Sequence, residues 1–366
     1  MGSKKTATKK TKIFHLGEFF CGPGGLALGA LNTKVLERGT IYKIQHAWAN
    51  DLDKDSCETF TKNICPKNPK SVICDDVANV DYKPLKKIDG FAYGFPCNDF
   101  SIVGKKKGFS GKFGPLYMHG VNILNYFKPK FFVAENVGGI TSADSGFAFR
   151  KIVHDLRNSG NKYNLTIHLY NFEEYGIPQI RRRIIIVGID SKLDLKFKVP
   201  APTHLNKYVS AKEAIEIPPI QDDFPNHEFT KQSQKVVERL KHTKPWENAW
   251  NATLPSHLKL NVKGAKLSHI YRRLHPNKPS YTITGSGGGG THGYHWKYPR
   301  ALTNRERARL QAYPDEFVFC GSKESVRKQI GMAVPPKISE MIFTNILKTL
   351  LEIKYPAVPA NIDPNN

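Results

Sequence analysis

The 366-residue sequence has no apolar run near the ~20 residues that a membrane-spanning helix requires, which excludes an α-helical membrane protein. Its six cysteines (Cys21, Cys57, Cys65, Cys74, Cys97 and Cys320) contain no CxxC pair. That excludes a zinc ribbon and a disulfide scaffold, and points to a reducing compartment. There is no internal repeat and no heptad or collagen pattern, and the first glycine loop, 22–25, does not follow the GxGxxG dinucleotide fingerprint. Acid is also scarce. The chain carries 32 Asp and Glu against 55 Lys and Arg, a net charge of +23.

What is present is a globular composition with a strong positive field. Hydrophobic residues make up 40% of the chain, enough for a sizeable core. Residues 1–12 hold five lysines and no acid, and read as a flexible basic tail. The remainder keeps +18, so the folded part is itself basic and suited to a polyanion, nucleic acid foremost. The lysines and following apolar residues imitate a signal peptide. However, His15 and Glu18 interrupt the apolar stretch and the glycine-proline cluster at 22–25 breaks it. Met1-Gly2 with Thr6 fits a myristoylation pattern too loosely to carry weight.

From 13 to 190 the texture alternates. Strands are expected at 13–19, 44–50, 71–73, 88–94, 131–135, 165–170 and 183–188, with helices at 26–37, 53–64, 117–127 and 147–158. This order predicts an α/β fold, a mostly parallel sheet with helices on both faces and ligands beyond the carboxyl ends of the strands. Between 191 and 299 the apolar periodicity weakens. Lys and Arg number 17 against 8 acids there, and 8 of the 13 histidines fall in this stretch. Their scattered spacing argues against a metal cluster, so no metal is expected. Thr303 with Glu306 forms a capping box that starts a helix through Gln311, and a last amphipathic helix is expected at 337–353.

Three strand ends carry candidate ligands. Phe19-Phe20-Cys21-Gly22-Pro23-Gly24-Gly25 joins a strand to a helix, where glycines admit a ligand close to the backbone and free N–H groups face it. Asp51 and Asp53 end the next strand, placed for ribose hydroxyls, although Asp53 also suits a helix cap. Asp75-Asp76 ends the third. A nucleoside cofactor follows, with S-adenosylmethionine at least as good as NAD. Gly94-Phe95-Pro96-Cys97 ends the fourth strand with a candidate nucleophile, whose ordinary alternative is a small buried hydrophobe. Glu135 sits at the same rim. Arg181 and Arg183 lead an apolar strand and need an anionic or carbonyl partner.

Phe19 to Gly25, Phe95-Pro96-Cys97, Glu135-Asn136-Val137 and Gln179-x-Arg181-x-Arg183 occur in that order. Two later blocks follow, 300–314 and Gln329-Ile330-Gly331-x-Ala333-Val334-Pro335-Pro336. Together they resemble the DNA (cytosine-5)-methyltransferase family, of bacterial restriction-modification type. The resemblance implies a Rossmann-like S-adenosylmethionine-dependent methyltransferase sheet with a second, smaller, loop-rich target-recognition domain. The divisions expected are 13–190 with 320–366 for catalysis and 191–319 for recognition.

It implies roles as well. Cys97 would add to cytosine C6, Glu135 would hold the N3/N4 edge, and Arg183 would sit at O2. Arg181 would lie near the nucleophile or the phosphates. Phe19, Gly22, Gly24, Asp51, Asp76, Phe95, Pro96 and Ala333 would bind the cofactor. Ser101, Lys105, Lys106 and Lys107 of a glycine-rich catalytic loop, with Gln179, Arg272, Arg273, Lys278 and Thr282, would meet duplex DNA. Base flipping is implied because the target atom is out of reach inside a duplex.

The sequence departs from the family pattern at Asn98, Asp51 and Met332, where Gln, Glu and Asn are usual. A monomer is expected, in the cytoplasm at the nucleoid if the source is bacterial and in the nucleus if eukaryotic. RNA methylation, an inactive DNA-binding relative and a nicotinamide-dependent oxidoreductase are the rival readings.

Overall fold

A computed structural model describes residues 10–96, 116–141, 146–261, 267–285 and 289–363. Cys97, Asn98 and the loop bearing Ser101, Lys105, Lys106 and Lys107 lie outside them. The chain forms two compact units. One comprises Met1–Tyr170, Arg182–Ala201 and Ile338–Asn366, the other Asn171–Arg181 and Pro202–Lys337. The segments 171–181 and 320–337, expected on the catalytic side, thus fall in the second unit.

The first unit is built on a sheet of eight strands among the described residues: β1 (Lys10–Phe19), β2 (Lys34–Glu37), β3 (Thr40–Asp51), β4 (Val72–Cys74), β5 (Gly90–Tyr93), β6 (Phe131–Val137), β7 (Tyr163–Asn171) and β8 (Arg182–Asp190). Their order is β2-β3-β1-β5-β6-β8-β7, with β4 beside β3. β1 pairs parallel with β3 and β5, and β5 pairs parallel with β6, so the carboxyl ends of these strands share one rim. β8 runs antiparallel to β6, opposing Val137 to Arg183 and Glu135 to Ile185.

Two local expectations are corrected here. β1 begins at Lys10, inside the supposed tail, because Lys10 to Lys12 pair with Thr40 to Tyr42. The helix expected at 26–37 stops early: α1 (Gly25–Asn32) gives way to β2, antiparallel to β3. Arg38 and Gly39 both take positive φ (46° and 74°), the geometry of a two-residue hairpin turn. Val35 is buried between exposed Lys34 and Leu36, a period of two that a helical reading overlooks.

Helices cover the sheet on both sides. α2 (Lys54–Ile64) is capped by Asp53, which accepts from Ser56 N at 3.0 Å. α3 (Tyr117–Phe127) and α4 (Phe147–Asn158) pack on one face. The buried set of α4, Ala148, Phe149, Ile152, Val153 and Leu156, falls at helical spacing. With Phe132, Ala134, Ile184 and Ile186 they form the main core. On the alternate face Phe131 meets Phe343 of α9 (Pro336–Leu350) edge-on, 6.3 Å between centroids. A two-stranded ribbon, β9 (Val199–Pro200) with β10 (Ala357–Val358), completes this unit.

The second unit is loop-rich, with short helices α5 (Ala211–Glu216), α6 (Gln234–His242), α7 (Asn304–Leu310) and α8 (Lys323–Met332). The capping box of α7 is formed, Thr303 Oγ1 accepting from Glu306 N and Glu306 Oε2 from Thr303 N. Beside buried apolar residues such as Leu274, Leu302, Leu310, Phe317 and Ile330, this unit buries arginines whose guanidinium groups donate to main-chain carbonyls. Arg305 donates to Pro225, Pro314 and Phe317, and Arg307 to Leu302 and His292. No helix among the described residues is long and apolar enough to cross a membrane.

Candidate active site

The rim of the parallel strands is stitched together by polar groups that the chain order separates. Asn50 Nδ2 donates to the carbonyls of Ile73 and Asp75, fixing the end of β4 against β3. Asp51 Oδ2 accepts from Gly22 N at 2.8 Å, and its Oδ1 from Asp53 N at 2.9 Å. Asp51 therefore organises the glycine turn while half exposed at the rim. Gly24 caps α1 at φ 100°, and a Cβ there would stand 2.9 Å from Ile64 Cγ1, so both conformation and space require glycine. Asp76 is exposed and caps a short turn through Ala78 N.

Phe19 is a correction. It is 2% exposed, with its ring against Trp48 and Phe91, and belongs to the core. β1 ends there, and Phe20 turns into the left-handed region (φ 53°), half exposed at the strand's end. Phe20, missed in the sequence, is the aromatic presented at this rim. Leu52, directly after Asp51, is 69% exposed. Beneath the turn Glu18 is buried; loss of water and then the Asp51 charge hold its carboxyl well above the usual range.

On the adjoining strands, Arg183 Nε and Glu135 Oε1 form an ion pair at 3.1 Å, both side chains mostly shielded. The antiparallel register of β6 and β8 brings them together diagonally. A Cβ on Gly94 would lie 3.5 Å from Glu135 Oε2, which puts this carboxylate beside the exit of β5. Asn136, buried, donates through Nδ2 to the Phe95 carbonyl at 3.1 Å, and its Oδ1 accepts from Val137 N. It ties the root of the Phe95-Pro96-Cys97 loop to β6. Only its place between two motif residues could have suggested this task.

Several residues expected at DNA or at the nucleophile have other tasks. Arg181 is 1% exposed, with Nη1 on the Ile283 carbonyl and Nη2 on those of Gly331 and Ala333. A guanidinium buried in this way cannot meet a phosphate. Ala333, itself buried, is described by this bond within the second unit. Gln179 is fully buried: Nε2 donates to Leu310 O and Gln311 Oε1, and Oε1 accepts from Ile283 N.

Arg273, 7% exposed, donates to the carbonyls of His295, Leu240, Thr243 and Trp296. Gln179 and Arg273 were expected to meet DNA and Arg181 to serve catalysis near the nucleophile or the phosphates; each is an internal strut. Arg272, Lys278 and Thr282 remain accessible, Arg272 and Lys278 lying over the Trp246 ring. No group of three or more His, Cys, Asp or Glu among the described residues is arranged to hold a metal.

The C-5 cytosine-specific DNA methylase family model matches residues 14–348. The chain belongs to the C-5 cytosine-specific DNA methylase family. It is a DNA (cytosine-5)-methyltransferase by that membership. It is similar to the type II methyltransferase M.BbvI of Brevibacillus brevis, 56% identical over 357 residues covering 96% of this chain and 95% of the relative. To M.NgoFVII of Neisseria gonorrhoeae it is 40% identical, covering 91% and 85%. Among solved structures it resembles a prophage-encoded DNA modification methyltransferase from Escherichia coli, with a TM-score of 0.69 and 22% identity over 92% of this chain and 99% of that one. These likenesses establish the S-adenosylmethionine-dependent methyltransferase fold.

Proposed function

We propose that this methyltransferase moves a methyl group from S-adenosylmethionine to C5 of a cytosine flipped out of a short specific sequence in duplex DNA. The reaction runs through a covalent bond between Cys97 Sγ and C6, and the enzyme acts as a monomer, at the nucleoid in a bacterial cell. The observation that carries this reading is the shielded Glu135–Arg183 pair, standing beside the loop that leads into Cys97.

The described rim suits the cofactor. The glycine turn carries a half-exposed carboxylate at Asp51, a second at Asp76, and apolar surface at Phe20 and Leu52. Gly22, Gly24, Phe95 and Pro96 would shape the pocket. S-adenosylmethionine, when bound there, supplies the methyl group that C5 receives. Cytosine C5 is a weak nucleophile, so Cys97 as thiolate first bonds to C6 and pushes electrons toward N3. Glu135 holds the N3/N4 edge and keeps a proton at N3, which takes up that charge. Arg183, fixed by its bond to Glu135, faces O2. After methylation the C5 proton leaves to a base, for which water suffices, and elimination breaks the Sγ–C6 bond. Asn136 keeps the loop root at a fixed height above β6 throughout.

The second unit, loop-rich and basic, is assigned to target recognition. Lys105, Lys106, Lys107 and Ser101 are assigned to the loop that closes over DNA, and Arg272, Lys278 and Thr282 to the recognition face.

The test is bisulfite sequencing of unmethylated mixed-sequence duplex after incubation with protein and S-adenosylmethionine. Protection confined to one short motif is expected, and Cys97→Ala abolishes it while retaining cofactor binding. Protection in RNA but not in duplex would transfer the reading to RNA. Cofactor binding without protection in either would leave an inactive relative.

A further inference from the structure

The second unit contains a pocket of about 230 Å³ that takes no part in the chemical steps above, although Arg272 and Thr282 of its lining belong to the proposed recognition face. Arg272, Arg327, His292, Thr282, Thr284 and Thr291 line it, and none of its lining residues is acidic. The two arginines are held from behind. The Arg272 guanidinium lies over the rings of Trp246 and Tyr281 at 4.4 and 4.9 Å, and its carbonyl accepts from Tyr281 Oη at 2.8 Å. Arg327 Nη1 donates to His292 Nδ1 at 2.7 Å.

That bond decides the histidine's tautomer: Nδ1 accepts, so the neutral ring carries its proton on Nε2 and acts there as a donor. Burial, then the charges of Arg327 and Arg307, push the His292 pKa down to about 4, with Glu324 opposing least. The imidazole is therefore neutral near pH 7. Arg307, buried and donating to the His292 carbonyl, adds a third cation behind the wall. Arg327 Nε is buried without a hydrogen-bond partner among the described residues.

Cations thus converge on a lining without an acid. An uncharged base edge would accept their hydrogen bonds but leave their mutual repulsion uncompensated. A phosphodiester satisfies both the donors and the field. Resting on the duplex-DNA reading above, we propose that this pocket receives one backbone phosphate of the substrate, gripped by Arg272 and Arg327 with His292 donating from Nε2. It sets the register of the recognition face on DNA and reads no base.

The test measures binding of a mixed-sequence duplex by fluorescence anisotropy across a salt series, for wild type, Arg327→Gln, Arg327→Lys and Arg272→Gln. One lost phosphate contact makes the slope of log K against log salt shallower by about 0.9. That change is expected for both glutamine variants. Arg327→Lys, which keeps the charge, retains the slope, and bisulfite reads give an unchanged methylated motif for all. An unchanged slope in both glutamine variants overturns the pocket assignment alone. So does a motif relaxed at one position with the slope preserved, because that is the mark of a base contact. A wild-type protein that binds no duplex overturns the duplex reading and the pocket together.

Discussion

Arg272 and Arg273 are neighbours in sequence with opposite tasks, and Arg273→Ala tests that division. Arg273 donates to four carbonyls, of which the Leu240 oxygen also accepts from Thr243 N. Truncation leaves about three buried acceptors short of a donor, each costing about 1–3 kcal/mol. Part of that is offset because a cation is no longer held out of water; burial already pushes the Arg273 pKa below its usual value. The balance is a loss of about 3–5 kcal/mol, which lowers the melting temperature of the unit holding Arg273 by about 10 °C. Differential scanning calorimetry with and without duplex reads this out. Arg272→Ala, whose guanidinium lies across two rings, costs less than about 1.5 kcal/mol. If Arg273→Ala melted within about 2 °C of wild type while losing DNA affinity, the internal-strut assignment would be refuted.

Further expectations follow from the same geometry. Glu135→Gln keeps the shape of the rim but cannot hold or release the N3 proton, and lowers single-turnover methyl transfer about 10²–10⁴-fold with cofactor affinity unchanged. Phe20→Ala weakens S-adenosylmethionine binding about tenfold by calorimetry with little change in melting. Phe19→Ala, which opens a core cavity, costs about 3–5 kcal/mol of stability. Glu306 accepts twice from Arg300, at 2.9 and 2.7 Å; burial alone would raise its pKa, but these bonds outweigh it and hold the carboxyl below its usual range. A depressed folded pKa gives stability that is present above the unfolded value, about 4.3, and lost as pH falls through the folded one. Glu306→Gln therefore costs about 1–3 kcal/mol near neutral pH in urea titrations, and the two proteins converge in stability only once pH has fallen through the depressed folded pKa.

The sheet was legible because its strands are apolar runs closed by glycine, proline or acid, and those closures mark the catalytic rim. Glu135 could be placed at that rim from the pattern alone, whereas Arg183 was brought to it only by the family resemblance. Phe19 was assigned from the motif match, which does not say where β1 stops, and so does not tell the core ring of Phe19 from the half-exposed ring of Phe20. Gln179 and Arg273 were misread for a different reason, while Arg181, whose need for an anionic or carbonyl partner was legible, could not be given its particular carbonyls. A polar residue in a basic segment looks solvent-facing until its acceptors are known. For Gln179 and Arg181 those lie more than 100 positions away, at 283, 310, 311, 331 and 333. Nothing local in a sequence encodes a carbonyl that distant.

The assignment of 171–181 to the second unit bears on how such enzymes can be recombined. A chimera that exchanges only 202–337 leaves behind the eleven residues whose Gln179 and Arg181 fill the interior of the transplanted piece, and whose Ile180 amide bonds to Ser280. The incoming segment would meet a foreign plug. Exchange of the second unit between relatives therefore requires two cuts flanking 171–181 as well as two flanking 202–337, with both pieces moved as a pair.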